Sequence, residues 1–239
     1  MGKVILAASG KGGAGKSMFT INLGATFADR GLKVVILDMN IGLRNLDIYL
    51  GLESKVIYDI ADVISGVCKP RRALVKDKRF DSLFLMSSPQ SWEKFIADDQ
   101  DMMNLYAELK SSYDFILVDG PSGIGHDLLL AATSVDLAVI VSTLEQVALR
   151  NADMTSRVLL KHGVSKMGFV LNKVSSEELR DGLPSLEDAS KMIDLRLLGI
   201  IQQDHNIHLA INSGIPIVYQ KGSYIEHNFN KIADRLIEL

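Results

Sequence analysis

Residues 4–17 read VILAASGKGGAGKS: a six-residue apolar run, a glycine-rich stretch and a closing Lys-Ser pair. Gly10, Gly15, Lys16 and Ser17 satisfy the spacing G-x-x-x-x-G-K-[ST]. The apolar run has strand length. The stretch from Lys16 to Arg30 carries Phe19, Leu23 and Phe27 at helical spacing, with Gly31 positioned to end a helix. A glycine loop between a strand and a helix can turn its N–H groups inward onto phosphate oxygens. The helix N-terminus adds partial positive charge there. The expected cradle is Gly10, Lys11, Gly12, Gly13, Ala14, Gly15, Lys16, Ser17 and Met18. Lys16 would reach the β- and γ-phosphates of a nucleotide, and Ser17 would ligate Mg2+. A glycine-rich turn without a ligand is the plainer alternative, but a bare turn has no use for Lys-Ser.

Further apolar runs of strand length follow: 34–38, 82–87, 115–119, 137–142, 167–172 and 197–201. They are continuous rather than alternating, as strands covered on both faces are. Helical patterns lie between them, including Gln146 to His162, and another closes the chain from Glu226 to Leu239. This alternation predicts an α/β fold, a mostly parallel sheet with helices on both faces. No repeat or linker interrupts residues 1–239, so one domain is expected. Residues 175–188, SSEELRDGLPSLED, are polar and read as a mobile, turn-rich segment.

Composition narrows the chemistry. The net charge of −3 gives no global basic surface for nucleic acid. Cys68 is the only cysteine, so no intramolecular disulfide forms, and a reducing cytoplasmic setting is expected. His205 and His208 have no third ligand near in sequence. Trp92 reads as a packing residue, and the basic stretch 69–72 as a solvated face. No run approaches the length of a membrane span. Two carboxylates end apolar strands, Asp38 and Asp119. At the carboxyl ends of parallel strands they would hold Mg2+; the alternative for each is a cap on the following turn.

Lys11 has no obvious work within its own loop. The segment KGGAGKS resembles the deviant Walker A motif, KGGxGK[ST], of the MinD/ParA family of ATPases. Residues 37–53, LDMNIGLRNLDIYLGLE, look very like the switch I segment of the family's MinD branch. The stretches 57–66, 75–90, 113–124, 198–204 and 213–218 fit the same register. The resemblance implies a P-loop NTPase of the SIMIBI class that binds ATP and Mg2+ and forms a homodimer around ATP. Lys11 would then reach phosphates bound by the partner subunit, a charge supplied only when two loaded subunits meet. By position, Asn172 matches the family's adenine-reading Asn. Gln202 and Gln203 stand where the family often has Pro before an acid. Glu145, Arg150 and Asp153 match its dimer- and partner-facing segment, or are ordinary helix-surface charges.

Two departures matter. The family's switch I pattern, D-x-D-x-G, here reads Asp38-Met39-Asn40-Ile41-Gly42. Asn40 replaces an acid that orients the attacking water; an amide accepts a hydrogen bond but takes no proton. Slow hydrolysis and a long-lived ATP dimer are expected, unless an amide suffices as positioner. Secondly, the family's MinD branch carries an amphipathic membrane-binding helix after the ATPase domain. The stripe Phe229, Ile232, Leu236 and Leu239 reads instead as a core-packing face. Membrane binding at the inner face would need an anchor beyond Leu239. The resemblance implies MinC-like and MinE-like regulators and septum placement; the near-neutral charge and the GLRNLD segment count against DNA as a partner. A ParA-type or flagellum- or pilus-positioning ATPase and a poorly hydrolysing ATP-bound scaffold are the alternatives. A nitrogenase-type reductase would need cluster cysteines the chain lacks.

Overall fold

A computed structural model describes residues 2–239. Its strands are β1 (Lys3–Ser9), β2 (Val34–Asp38), β3 (Leu74–Lys76), β4 (Leu83–Met86), β5 (Phe115–Ser122), β6 (Leu137–Ser142), β7 (Met167–Val174) and β8 (Arg196–Gln202). Seven of these are the apolar runs read from the sequence; β3, only three residues long, was not legible as one. The sheet order is β3-β4-β2-β5-β1-β6-β7-β8. Every pairing is parallel except β3 with β4.

The helices are α1 (Lys16–Asp29), α2 (Leu46–Leu50), α3 (Ile60–Ile64), α4 (Pro70–Ala73), α5 (Asp99–Lys110), α6 (His126–Ala132), α7 (Gln146–Lys161), α8 (Ser176–Asp181), α9 (Leu186–Met192), α10 (His205–Asn212) and α11 (Tyr224–Ile237). They cover both faces of the sheet. Val4, Leu6 and Ala8 of β1 pack into one core with α5, α6 and α7. Ile5 and Ala7 pack into the other with α1, α2 and α11. The period-2 pleat thus commits Val4 to Ala8 alternately to one apolar layer or the other, which is why these runs do not alternate. Neither layer can be exposed without losing roughly 25 cal/mol for each Å2 of apolar surface returned to water.

Helix α1 stops where expected. Gly31 takes φ 79°, Gly31 N–H donates to Ala28 O and Leu32 N–H to Phe27 O. This is the double bond of a left-handed glycine terminus. The closing helix α11 buries Phe229, Ile232 and Leu236. Phe229 stacks on Phe19 with ring centroids 6.0 Å apart, so the stripe is a core face.

The expectation of a turn-rich segment at 175–188 is corrected. Two short helices, α8 and α9, start within it. Each opens with a capping box, Ser175 with Glu178 and Ser185 with Asp188. The spacing S-x-x-[ED] was the signal that polarity obscured. Among the described residues, no helix is long and apolar enough to cross a membrane.

Candidate functional site

Strand β1 lies at the centre of the sheet, between β5 and β6, and the chain crosses to opposite sides of it. At such a switch point the loops after adjacent strands diverge and leave a crevice at their carboxyl ends. Residues 10–15 occupy that crevice. Gly13 and Gly15 adopt φ 80° and 89°, conformations a β-carbon resists. No atom lies within 4 Å of where a side chain on Gly12 or Gly13 would begin, which leaves the loop open for a ligand. Gly15 is enclosed instead: a β-carbon there would stand 2.0 Å from Asn172 Nδ2.

Below the loop the polar groups converge on Asp119. Lys16 Nζ donates to Asp119 Oδ1 at 3.0 Å, and Ser17 Oγ to Oδ2 at 2.6 Å. Thr20 Oγ1 reaches Oδ1 at 3.2 Å, and Asn40 Nδ2 reaches Oδ2 at 2.7 Å. Lys16 and Asp119 are both buried. Thr20 was not singled out from the sequence. Its position one helical turn beyond Lys16 is the only signal that it faces the same carboxylate.

Asp38 and Asp119 are direct partners in the β2–β5 register. Asp38 accepts hydrogen bonds from the N–H groups of Asn40 and Leu46. Burial, and next the charge of Asp119, push its carboxyl up to about 7. Two buried carboxylates side by side, offset by the single charge of Lys16, favour a cation between them. Ser17 Oγ and the two carboxylates are oxygen donors of the kind Mg2+ takes when phosphates complete its shell. The donor set therefore fits Mg2+.

Strand β7 supports the loop from the other side. Asn172 Nδ2 donates to Ala14 O at 2.7 Å and Lys173 Nζ to Gly13 O at 2.9 Å. These bonds turn two consecutive carbonyls outward, so the loop's N–H groups remain free to face inward. Asn172 is wholly buried and its Oδ1 has no partner. An orphaned buried acceptor costs roughly 1–3 kcal/mol, and a ligand amine would satisfy it. Lys173 carries a positive φ of 58° and was not noticed in the sequence.

Lys11 points away from the loop. Its ammonium pairs with Glu145 Oε2 at 2.8 Å, on the surface, and holds that carboxyl below the usual glutamate range. Of the other two charges grouped with Glu145, Asp153 pairs with Arg157 along the face of α7, and Arg150 is exposed. Trp92 is half-exposed, with its indole edge against Gly42. The residue pair Arg71 and Arg72 falls in α4, where Arg72 stacks over the Tyr58 ring. His205 and His208 lie on α10, and no cluster of three His, Cys, Asp or Glu side chains forms a metal site among the described residues.

A strand, an open glycine loop, a helix and a buried Lys–Ser–Asp hub define a P-loop nucleotide-binding protein. A family model described as "ParA: NUBPL iron-transfer P-loop NTPase" matches residues 1–237. The septum site-determining protein MinD of Bacillus subtilis is 35% identical over 240 residues, covering 99% of this chain and 90% of that one. The Synechocystis MinD is 37% identical, with 99% and 90% covered. Among solved structures, the MinC:MinD cell division complex of Aquifex aeolicus matches with a TM-score of 0.91 at 35% identity, covering 99% of this chain and 96% of that chain. MinD of Pyrococcus horikoshii complexed with Mg-ADP matches at 0.88 and 32%, with 99% and 96% covered. The chain belongs to the ParA/MinD family of P-loop NTPases. The iron-transfer part of the model's description finds no thiol set here, because Cys68 is the sole cysteine and is buried.

Proposed function

We propose that this chain is a MinD-like ATPase, a switch that dimerises on ATP, hydrolyses it to ADP and recruits regulators for division-site placement. The carrying observation is the convergence of Lys16, Ser17 and Asn40 on Asp119 beneath an open phosphate loop. In the free protein Asp119 neutralises Lys16. When a triphosphate enters, Lys16 exchanges that carboxylate for phosphate oxygens, and Ser17 and Asp119 turn to the cation. Mg2+, held by Ser17, Asp38 and Asp119, would supply neutralisation of phosphate charge. The orphaned Oδ1 of Asn172 suits the exocyclic amine of adenine, so ATP is the favoured nucleotide.

Lys11 is free of its own loop and half-exposed. Leaving Glu145, it would reach phosphates across a homodimer, stabilising charge only when two ATP-loaded chains meet. Similarity to the MinC:MinD complex supports a MinC-like partner; a MinE-like regulator follows by family analogy. The deciding experiment is the oligomeric state by light scattering with ATP, ADP and no nucleotide. The natural chain should dimerise with ATP alone and Lys11→Ala should not. A monomer under all three conditions removes the switch.

Asn40 supports slow turnover. It donates to Asp119 where an acid would add a third carboxylate beside Asp38 and Asp119. Asn40→Asp should raise steady-state ATP hydrolysis, on the order of tenfold if a positioned base contributes even modestly. No gain would discard slow turnover as the consequence of Asn40.

A further inference from the structure

The hairpin between β3 and β4 carries a side chain that the site described above does not use. Arg79 is locked to the buried carboxylate of Asp77, with Nε donating to Oδ1 at 2.9 Å and Nη2 to Oδ2 at 2.5 Å. Its remaining N–H groups leave the hairpin. Nη2 donates to Leu50 O at 2.8 Å, the last residue of α2, and Nη1 donates to Gly214 O at 2.5 Å, just past the end of α10. Only a guanidinium has enough donors, in one plane, to hold a carboxylate and two carbonyls together.

The two helices it clamps both begin at the carboxyl edge of the sheet. Helix α2 follows the segment of Asp38 and Asn40, and its first N–H, that of Leu46, donates to Asp38. Helix α10 follows β8, whose end lies beside Asn172: Ile201 is its register partner, and Gln203 N–H donates to Val174 O. Gly51 and Gly214 then bring the far ends together. Both take positive φ, and a β-carbon on Gly214 would stand 2.8 Å from Gly51 N. Two short helices thus run from opposite sides of the nucleotide crevice to one cation.

We propose that Arg79 is a positioning residue that couples the base side of the crevice, through α10, to the switch segment at residues 40–50, through α2. The coupling rests on the nucleotide reading above. A displacement of the loop at 203–204 on base binding moves the end of α10. Arg79 passes that displacement to α2, and so to Asp38 and Asn40. Removing the guanidinium uncouples the segments without touching any group in the crevice.

The test is amide hydrogen exchange on the full chain, alone and saturated with Mg-ATP or with Mg-tripolyphosphate, which lacks a base. Arg235→Gln is the control, since Arg235 too donates to backbone, but to one carbonyl only, Leu198 O, far from the switch segment. In the natural protein, ATP should protect residues 40–50 more than tripolyphosphate does. In Arg79→Gln, exchange across both 40–50 and 205–214 should rise about tenfold without ligand, the factor for one lost charged hydrogen bond. The extra protection by ATP should vanish. Arg79→Lys, which keeps the charge and at most one carbonyl, should fall between the two. Arg235→Gln should keep the ATP-specific protection. Exchange in Arg79→Gln that rises evenly over the chain, as for a general loss of stability, overturns the proposal. So does ATP-specific protection of 40–50 that survives the substitution. Identical exchange of the natural protein with and without Mg-ATP overturns the nucleotide reading itself, and the coupling falls with it.

Discussion

Asp38→Asn should stabilise the nucleotide-free protein, and by an amount that depends on pH. Asp38 is fully buried, faces Asp119 across the β2–β5 pair, and has Lys16 as its nearest opposing charge. Its carboxyl is raised from 3.8 to about 7, first by burial and then by Asp119. The folded chain therefore holds a proton that the unfolded chain releases throughout the window between those values. A raised carboxylate makes stability fall as pH rises through that window, and the loss is complete above about 7. At about 1.36 kcal/mol per pH unit, the full loss is on the order of 4 kcal/mol. An asparagine does not titrate and escapes it. It keeps one acceptor for Asn40 N–H but turns a donor toward Leu46 N–H, at a pH-independent cost of about 1 kcal/mol. The net gain should therefore grow from under about 1 kcal/mol at pH 5 to roughly 3 kcal/mol at pH 8. Urea unfolding of both proteins at the two pH values, with EDTA and without nucleotide, measures it. A stability difference that is the same at pH 5 and pH 8 refutes the reasoning. The same variant should bind Mg-ATP more weakly, since one of the two carboxylates proposed to hold the cation is gone.

Gly15→Ala places a β-carbon against Asn172 Nδ2 and asks alanine for φ 89°; ATP binding by isothermal calorimetry should be lost, with a melting temperature lowered by several degrees. Glu145→Gln releases Lys11 from an exposed ion pair. Because such pairs are weak, the ATP concentration for half-dimerisation should drop by no more than about fivefold. Loss of dimerisation in that variant would mean Glu145 contributes to the closed dimer rather than competing with it.

Sequence alone carried a good deal of this protein. The phosphate loop was legible because strand, glycines, Lys-Ser and helix are contiguous, and backbone geometry over a dozen residues is set by those residues themselves. Continuous apolar runs gave seven strands, and their lack of alternation gave a sheet covered on both sides. The spacing of Phe229, Ile232 and Leu236 gave a core face on the last helix. Tertiary structure decided which distant groups meet. That Asp119 takes both Lys16 and Ser17, that Lys11 rests on Glu145, that Asn172 and Lys173 brace the loop, and that Arg79 joins Leu50 to Gly214 all depend on strand order. Strand order arises from how two apolar layers pack across the whole chain, and no local pattern encodes it.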